Sequence, residues 1–225
     1  PMWDDQIDVL TEHFQVLRYD TRGHGGTDAP EGPYSIDLFV EDVIGLLDFL
    51  DIEKVHFIGL SMGGFIAQLI AAKHPDRVIS VTLCDTACVM RPASLWNDRI
   101  NTAETDGIEA LISGTLERWF TAPFHHTGVE AIDKIRNIIQ ATGVQGYVNC
   151  CKAIRDMDQC HVLAGIKAAT NIIVGEDDPA CPVSAAEVLH AGIAGSKFVT
   201  LKNAAHLPNI EKKDEFNKAM MDFLN

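Results

Sequence analysis

Lys54-Val55-His56-Phe57-Ile58-Gly59-Leu60-Ser61-Met62-Gly63-Gly64-Phe65-Ile66-Ala67-Gln68-Leu69-Ile70 is the stretch on which the fold turns. The run 54–58 reads as a buried strand, and the apolar run from Phe65 to Ala72 reads as a helix. Between them lies Gly59-x-Ser61-x-Gly63. A serine on a sharp strand-to-helix turn is pushed out at the end of a sheet with its hydroxyl exposed. Gly59 and Gly63 are expected to leave room for the tight turn, and Gly64 to let the helix lie close to its neighbours. The helix N-terminus then aims backbone N–H groups at the place where negative charge would develop. The bare pattern is weak; its strand-helix setting makes it informative.

The same alternation extends in both directions. Upstream, residues 14–19 read as a strand ending at Asp20, followed by a turn-rich loop through Pro30. Ser35 then reads as the N-cap of a helix over 36–50. Downstream, the helix stops before Pro75, and 78–84 is another apolar strand. Late in the chain come a strand at 170–174, a helix at 183–193, a strand at 197–201 and a closing helix at 211–224. Such β-α-β order means a mostly parallel, twisted sheet flanked by helices. Between the two halves only helical periodicities occur, at 107–119, 129–141 and 144–154. The chain therefore divides into a discontinuous α/β core, 1–86 and 166–225, and a helical cap, 87–165, expected to cover the sheet end that carries Ser61.

Composition narrows the function. The 225 residues are 47% hydrophobic, enough for one α/β domain with an inserted lobe. A net charge of −14 disfavours nucleic acid and anionic membrane as partners and requires local positive charge wherever an anionic substrate binds. No apolar run reaches membrane-span length, and the chain reads as cytoplasmic. The six cysteines, Cys84, Cys88, Cys150, Cys151, Cys160 and Cys181, read as reduced buried thiols. Without a C-x-x-C pair no metal site is expected, and no cofactor is expected either.

A serine hydroxyl needs a base, and the base a carboxylate. His206 is best placed, after the last strand and before the closing helix. His24 reads as a turn residue, and His125 and His126, in the helical segment, as possible substrate contacts. The acid should follow a strand between Ser61 and His206. Gly175-Glu176-Asp177-Asp178-Pro179 fits, with Asp178 preferred, Asp177 second, and Asp85, at the end of the preceding strand, third. The backbone N–H of Met62 is the expected first oxyanion donor.

Arg18-Tyr19-Asp20-Thr21-Arg22-Gly23-His24-Gly25, the elbow at Ser61, Glu117-Arg118-Trp119-Phe120 and Ala153-Ile154-Arg155-Asp156-Met157-Asp158 together resemble the 3-oxoadipate enol-lactonases of the α/β-hydrolase superfamily, over nearly the whole chain. The elbow is shared by a very large group of hydrolases; the motifs around Trp119 and Arg155 are more specific. The resemblance implies Ser61, Asp178 and His206 as the triad, Trp119 as a pocket wall, and substrate contacts from Leu60 and Arg118. It places the cap after the sixth strand of the fold. The chain departs from the pattern at Thr27, where the family usually carries Ser. Family members also begin with further residues that supply the first strands and the second oxyanion donor, so the sequence is expected to be part of a longer protein. The implied reaction is hydrolysis of a small lactone or ester through an acyl-enzyme. A substrate carboxylate would fall to Arg118, Arg22, Arg91 or Arg155. Two other readings stay open: a broad carboxylesterase or cofactor-free perhydrolase, and a binding protein with little turnover.

Overall fold

The computed structural model describes residues 2–225. Helix α1 (Asp4–Thr11) opens the chain, and α2 (Ile36–Phe49) follows a long loop. β1 (Val55–Leu60) runs into α3 (Met62–Lys73), then β2 (Val78–Cys84). Five helices come next: α4 (Ala93–Asp106), α5 (Glu109–Trp119), α6 (Phe124–Thr127), α7 (Val129–Gln140) and α8 (Val144–Asp156). β3 (Ala169–Gly175), α9 (Val183–Gly192), β4 (Lys197–Leu201), α10 (Pro208–Glu211) and α11 (Lys213–Leu224) complete the order.

The four strands form one parallel sheet in the order β1-β2-β3-β4. Strands added in sequence by right-handed crossovers lay their connecting helices on one face. Leu83, Ile172 and Val174 accordingly share a cluster with Phe65 and Ile66 of α3 and Leu189 of α9. Their neighbours Cys84, Ile173 and Leu201 point to the opposite face, against Phe216 and Met220 of α11 and Leu10 of α1. A sheet buried on both faces explains why β2 and β3 read as nearly unbroken apolar runs. Ser35 caps α2 as expected, its Oγ accepting from Leu38 N–H at 3.1 Å.

Several expectations need correction. Residues 14–19 belong to no strand, because no described segment pairs with their N–H and C=O groups. Phe14 and Val16 still bury apolar surface against the α11 side of the sheet. The helical segment follows β2 in this chain; counting that strand as the sixth includes strands not among the described residues. The closing helix is two helices, broken at Lys212, whose φ of −130° is not helical. Helix α4 was not anticipated, although Trp96, Ile100 and Ala103 lie on one face at helical spacing.

The cysteine expectation is overturned in part. Cys88 and Cys160 form a disulfide across a separation of 72 residues; Cys84, Cys150, Cys151 and Cys181 are free and buried. Sequence distance hid the pairing, because Cys88 leaves β2 and Cys160 precedes β3, two neighbouring strands. An antiparallel bridge between Val89 and Asp158, and Gln159 N–H donating to Cys88 O at 2.7 Å, bring the two Cα atoms to 4.8 Å. The pair thus closes the neck of the helical segment. Among the described residues no helix is long and apolar enough to cross a membrane.

Candidate active site

Ser61 follows β1, Asp178 follows β3 and His206 follows β4, so parallel strand direction puts all three at the same sheet edge. The elbow is backbone-strained. Ser61 has φ 52° and ψ −113°, a conformation that costs a non-glycine residue roughly 1–3 kcal/mol. Four hydrogen bonds hold it there: Ser61 N–H donates to Cys84 O at 2.9 Å, and Ser61 O accepts from Gly64 N–H, Phe65 N–H and the Thr86 hydroxyl. A Cβ on Gly59 would lie 2.1 Å from Gly63 O, and one on Gly64 2.6 Å from the Thr86 side chain, so both must be glycine. A Cβ on Gly63 would meet no heavy atom within 4 Å, so the crowding expected there is not found. Met62 is the first residue of α3, where N–H groups have no carbonyl a turn earlier to bond.

The Asp178–His206 pair is built where the loops after β3 and β4 cross. At Gly175 a Cβ would sit 2.3 Å from Ala205 O, so glycine alone permits the approach. The crossing brings the Asp178 carboxylate to His206: Nδ1 donates to Oδ2 at 2.8 Å, and Ala180 N–H donates to Oδ1 at 2.7 Å. Both residues are 3% exposed. With Nδ1 carrying the hydrogen, Nε2 of His206 is free to take a proton. Asp177, the second choice for the acid, is exposed and uses its N–H on Ala204 O. Asp85, the third, bonds Gly175 N–H through Oδ1 at 2.8 Å.

Trp119 stands against His206, ring centroids 6.0 Å apart at 36°, and its carbonyl accepts from Leu207 N–H at 3.2 Å. Glu211, which carried no signal in the sequence beyond opening a helix, accepts from Ala205 N–H at 2.9 Å and from the Thr121 N–H and hydroxyl. One buried carboxylate thus ties the end of α5 to the His206 loop. His125 stands edge-on to Phe120 and His126 is exposed. His24 lies in the loop before α2 with Nδ1 3.8 Å from Cys150 Sγ, and burial lowers its pKa. Leu60 is 6% exposed and shares a cluster with Cys84, Ile173 and Leu201.

The arginines separate cleanly. Arg22 is paired with Asp42, Arg91 with Asp158, and Arg155 with Asp156 and Asn97. Arg118 makes no ion pair among the described residues; burial first, then the Arg99 guanidinium, lowers its pKa. Arg99, which the sequence reading did not single out, also lacks a carboxylate partner and lies over Trp96. Arg118 lines a cavity of about 340 Å³ with Phe120, Asp177, Pro179 and Ala205, beside the Asp178 and His206 loops. Asp178, Cys181 and His206 place one polar atom each within 4.8 Å of the others, as metal ligands would. Two of these atoms already bond each other, and burial and the Asp178 charge hold the Cys181 thiol neutral.

This strand, elbow and loop arrangement is that of the α/β-hydrolase fold, and a model of that family matches residues 1–104. The chain belongs to the α/β-hydrolase family and is a hydrolase. More particularly, it is 34% identical to 3-oxoadipate enol-lactonase 2 of Acinetobacter baylyi over 219 residues, 97% of this chain and 82% of that one. The crystal structure of the enol-lactonase from Burkholderia xenovorans LB400 superposes with a TM-score of 0.97 at 41% identity, covering 99% of this chain and 85% of that one. A thermophilic esterase from Thermogutta terrifontis superposes at 0.93 with 26% identity, over 99% of this chain and 84% of that one.

Proposed function

We propose that this hydrolase opens a small lactone that carries a carboxylate, of the 3-oxoadipate enol-lactone kind, through an acyl-enzyme on Ser61. The observation that carries the reading is the buried Asp178–His206 bond at the sheet edge of a strained serine elbow. His206 Nε2 takes the Ser61 proton as Oγ attacks the lactone carbonyl, and Met62 N–H stabilises the oxyanion. The ring C–O bond then breaks. The leaving enol oxygen receives the proton from His206, the enol becomes a ketone, and water activated by His206 releases the acid. In this reading residues 87–165 act as a cap, with Trp119 as a wall of the pocket. Arg118, the unpaired one of the four candidate arginines, receives the substrate carboxylate in a chain of net charge −14. The similarity to enol-lactonases favours this substrate over simple esters; the likeness to a thermophilic esterase supports broad ester hydrolysis as the second reading. A disulfide is unusual in a reducing compartment, so Cys88–Cys160 weighs against the cytoplasmic expectation.

Turnover of a carboxylate-bearing enol lactone, measured beside a panel of neutral p-nitrophenyl esters, tests the proposal. Ser61→Ala is expected to lower kcat on every substrate by on the order of 10⁴-fold or more. Arg118→Ala is expected to raise KM about tenfold for the anionic lactone alone. Retained turnover in Ser61→Ala sinks the mechanism; equal KM changes on anionic and neutral substrates sink the assignment of Arg118.

A further inference from the structure

Asp85 is a buried carboxyl that the mechanism does not use. It sits at the end of β2, 1% exposed, with φ at +42°. Its Oδ1 accepts from Gly175 N–H at 2.8 Å, while Oδ2 is buried and meets no donor. Asp178 faces it: Gly175, whose N–H bonds Asp85, accepts from Asp178 N–H at 3.3 Å, and the two carboxyl side chains interact as hydrogen-bond partners. Two ionised carboxylates cannot make that bond, since neither carries a hydrogen; with one proton the orphaned oxygen becomes a donor.

The proton's location follows from the donors around each group. Asp178 accepts from Ala180 N–H and from His206 Nδ1–H, two bonds that favour its charge. Asp85 accepts from one N–H only. The other groups facing the pair, the thiols of Cys84 and Cys181, are themselves kept neutral by burial, so among the described residues no Lys or Arg is paired with Asp85 to offset a second negative charge. Burial, and then the Asp178 charge, push the Asp85 carboxyl well above the usual carboxylate range.

We propose that Asp85 is the protonated half of a carboxylic acid–carboxylate pair with Asp178, and that its Oδ2–H positions the Asp178 carboxylate for His206. This rests on the reading of Asp178 and His206 as acid and base. Asp85 is a positioning residue: it touches Asp178 and never the substrate. Its bond fixes the carboxylate so that Oδ2 faces the imidazole.

Infrared difference spectroscopy of the full chain, wild type minus Asp85→Asn at neutral pH, reads the proton directly. The expected result is the carbonyl stretch of a protonated carboxylic acid; loss of ionised-carboxylate bands alone overturns the proposal. Ser61→Ala is expected to keep that band, which separates this proposal from the hydrolase mechanism. In kinetics, Asp85→Ala is expected to lose about tenfold in kcat. Asp85→Asn, whose amide donates to Asp178 and whose carbonyl accepts from Gly175, is expected to recover most of that loss. An Asn variant as impaired as the Ala variant overturns it. If Asp85→Ala does not fold, the infrared band and the Asn variant decide.

Discussion

The sheet edge and the helical segment above it are held in different ways. At the edge, each reactive group is fixed by backbone from neighbouring strands: four hydrogen bonds on the Ser61 backbone, two donors on the Asp178 carboxylate, and a glycine that lets the β3 and β4 loops touch. The segment 87–165 is closed on itself by the Cys88–Cys160 disulfide and the bridge between Val89 and Asp158. It meets the rest of the chain at separate points, among them Gln159 on Phe65 O, Gln145 on Ala29 O, the carbonyl of Trp119 on Leu207, and Glu211 on Thr121. A group held by many converging bonds cannot shift without unmaking the turn. A segment held at separate points can lose one of them without unmaking the others.

Removing the strongest fastener is expected to have the largest effect on stability. A disulfide closing a loop of 72 residues contributes roughly 4 kcal/mol by restricting the unfolded chain. Cys88→Ser is therefore expected to lower the denaturant midpoint sharply, and reductant to do the same to the wild type alone. Equal midpoints with and without reductant would mean that the neck is held by the Val89–Asp158 bridge and its neighbours. Activity per folded molecule is expected to change little, since neither sulfur touches Ser61, Asp178 or His206.

The edge should fail by the opposite route. Gly59→Ala places a Cβ 2.1 Å from Gly63 O, a backbone atom that cannot yield without opening the turn. A loss on the order of 3 kcal/mol is expected, with turnover falling further than stability because Ser61 is displaced. Gly63→Ala is the control. Its Cβ meets nothing within 4 Å, and denaturation should find it within about 1 kcal/mol of wild type. Equal behaviour of the two variants would show that the elbow tolerates more than its bonding suggests.

The same contrast decides what could be read from sequence. The elbow, the strands at 78–84 and 170–174, and the order of Ser61, Asp178 and His206 were legible because local signals coincide there: β-branched runs, a turn pattern and a helix start within a few residues. The choice between Asp177 and Asp178 was not, because both follow the same strand and only the crossing at Gly175 decides which one is buried. The run at 14–19 has the composition of a strand, but a strand also needs a partner, which its own residues do not encode. The disulfide joins residues that meet only because β2 and β3 are neighbours. Glu211 and Asp85 read as a helix-opening acid and a strand-ending acid. What each does depends on residues about 90 positions away, Thr121 for one and Gly175 for the other.

The smallest expected effects, and the finest test of the contrast, are in pH. His24 sits on the seam between the core loop and α8, and burial depresses its pKa below 6.5. The unfolded chain therefore takes up a proton that the folded chain refuses. Stability from this group is full above the unfolded value and declines as pH falls through it. Asp85, at the edge, has the opposite sign. Its folded pKa is raised, so the folded chain keeps a proton that the unfolded chain has already released, and stability declines as pH rises above about 4 until the folded value is passed. Thermal midpoints from pH 5 to pH 9 should separate the two. His24→Asn is expected to flatten the acid side of the curve and leave the alkaline side alone. Asp85→Asn is expected to do the reverse, with an advantage over wild type that grows with pH. If His24→Asn leaves the acid slope unchanged, the imidazole titrates as freely when folded as when unfolded. The seam at α8 would then be open to water in solution, which would widen the difference between the edge and the helical segment.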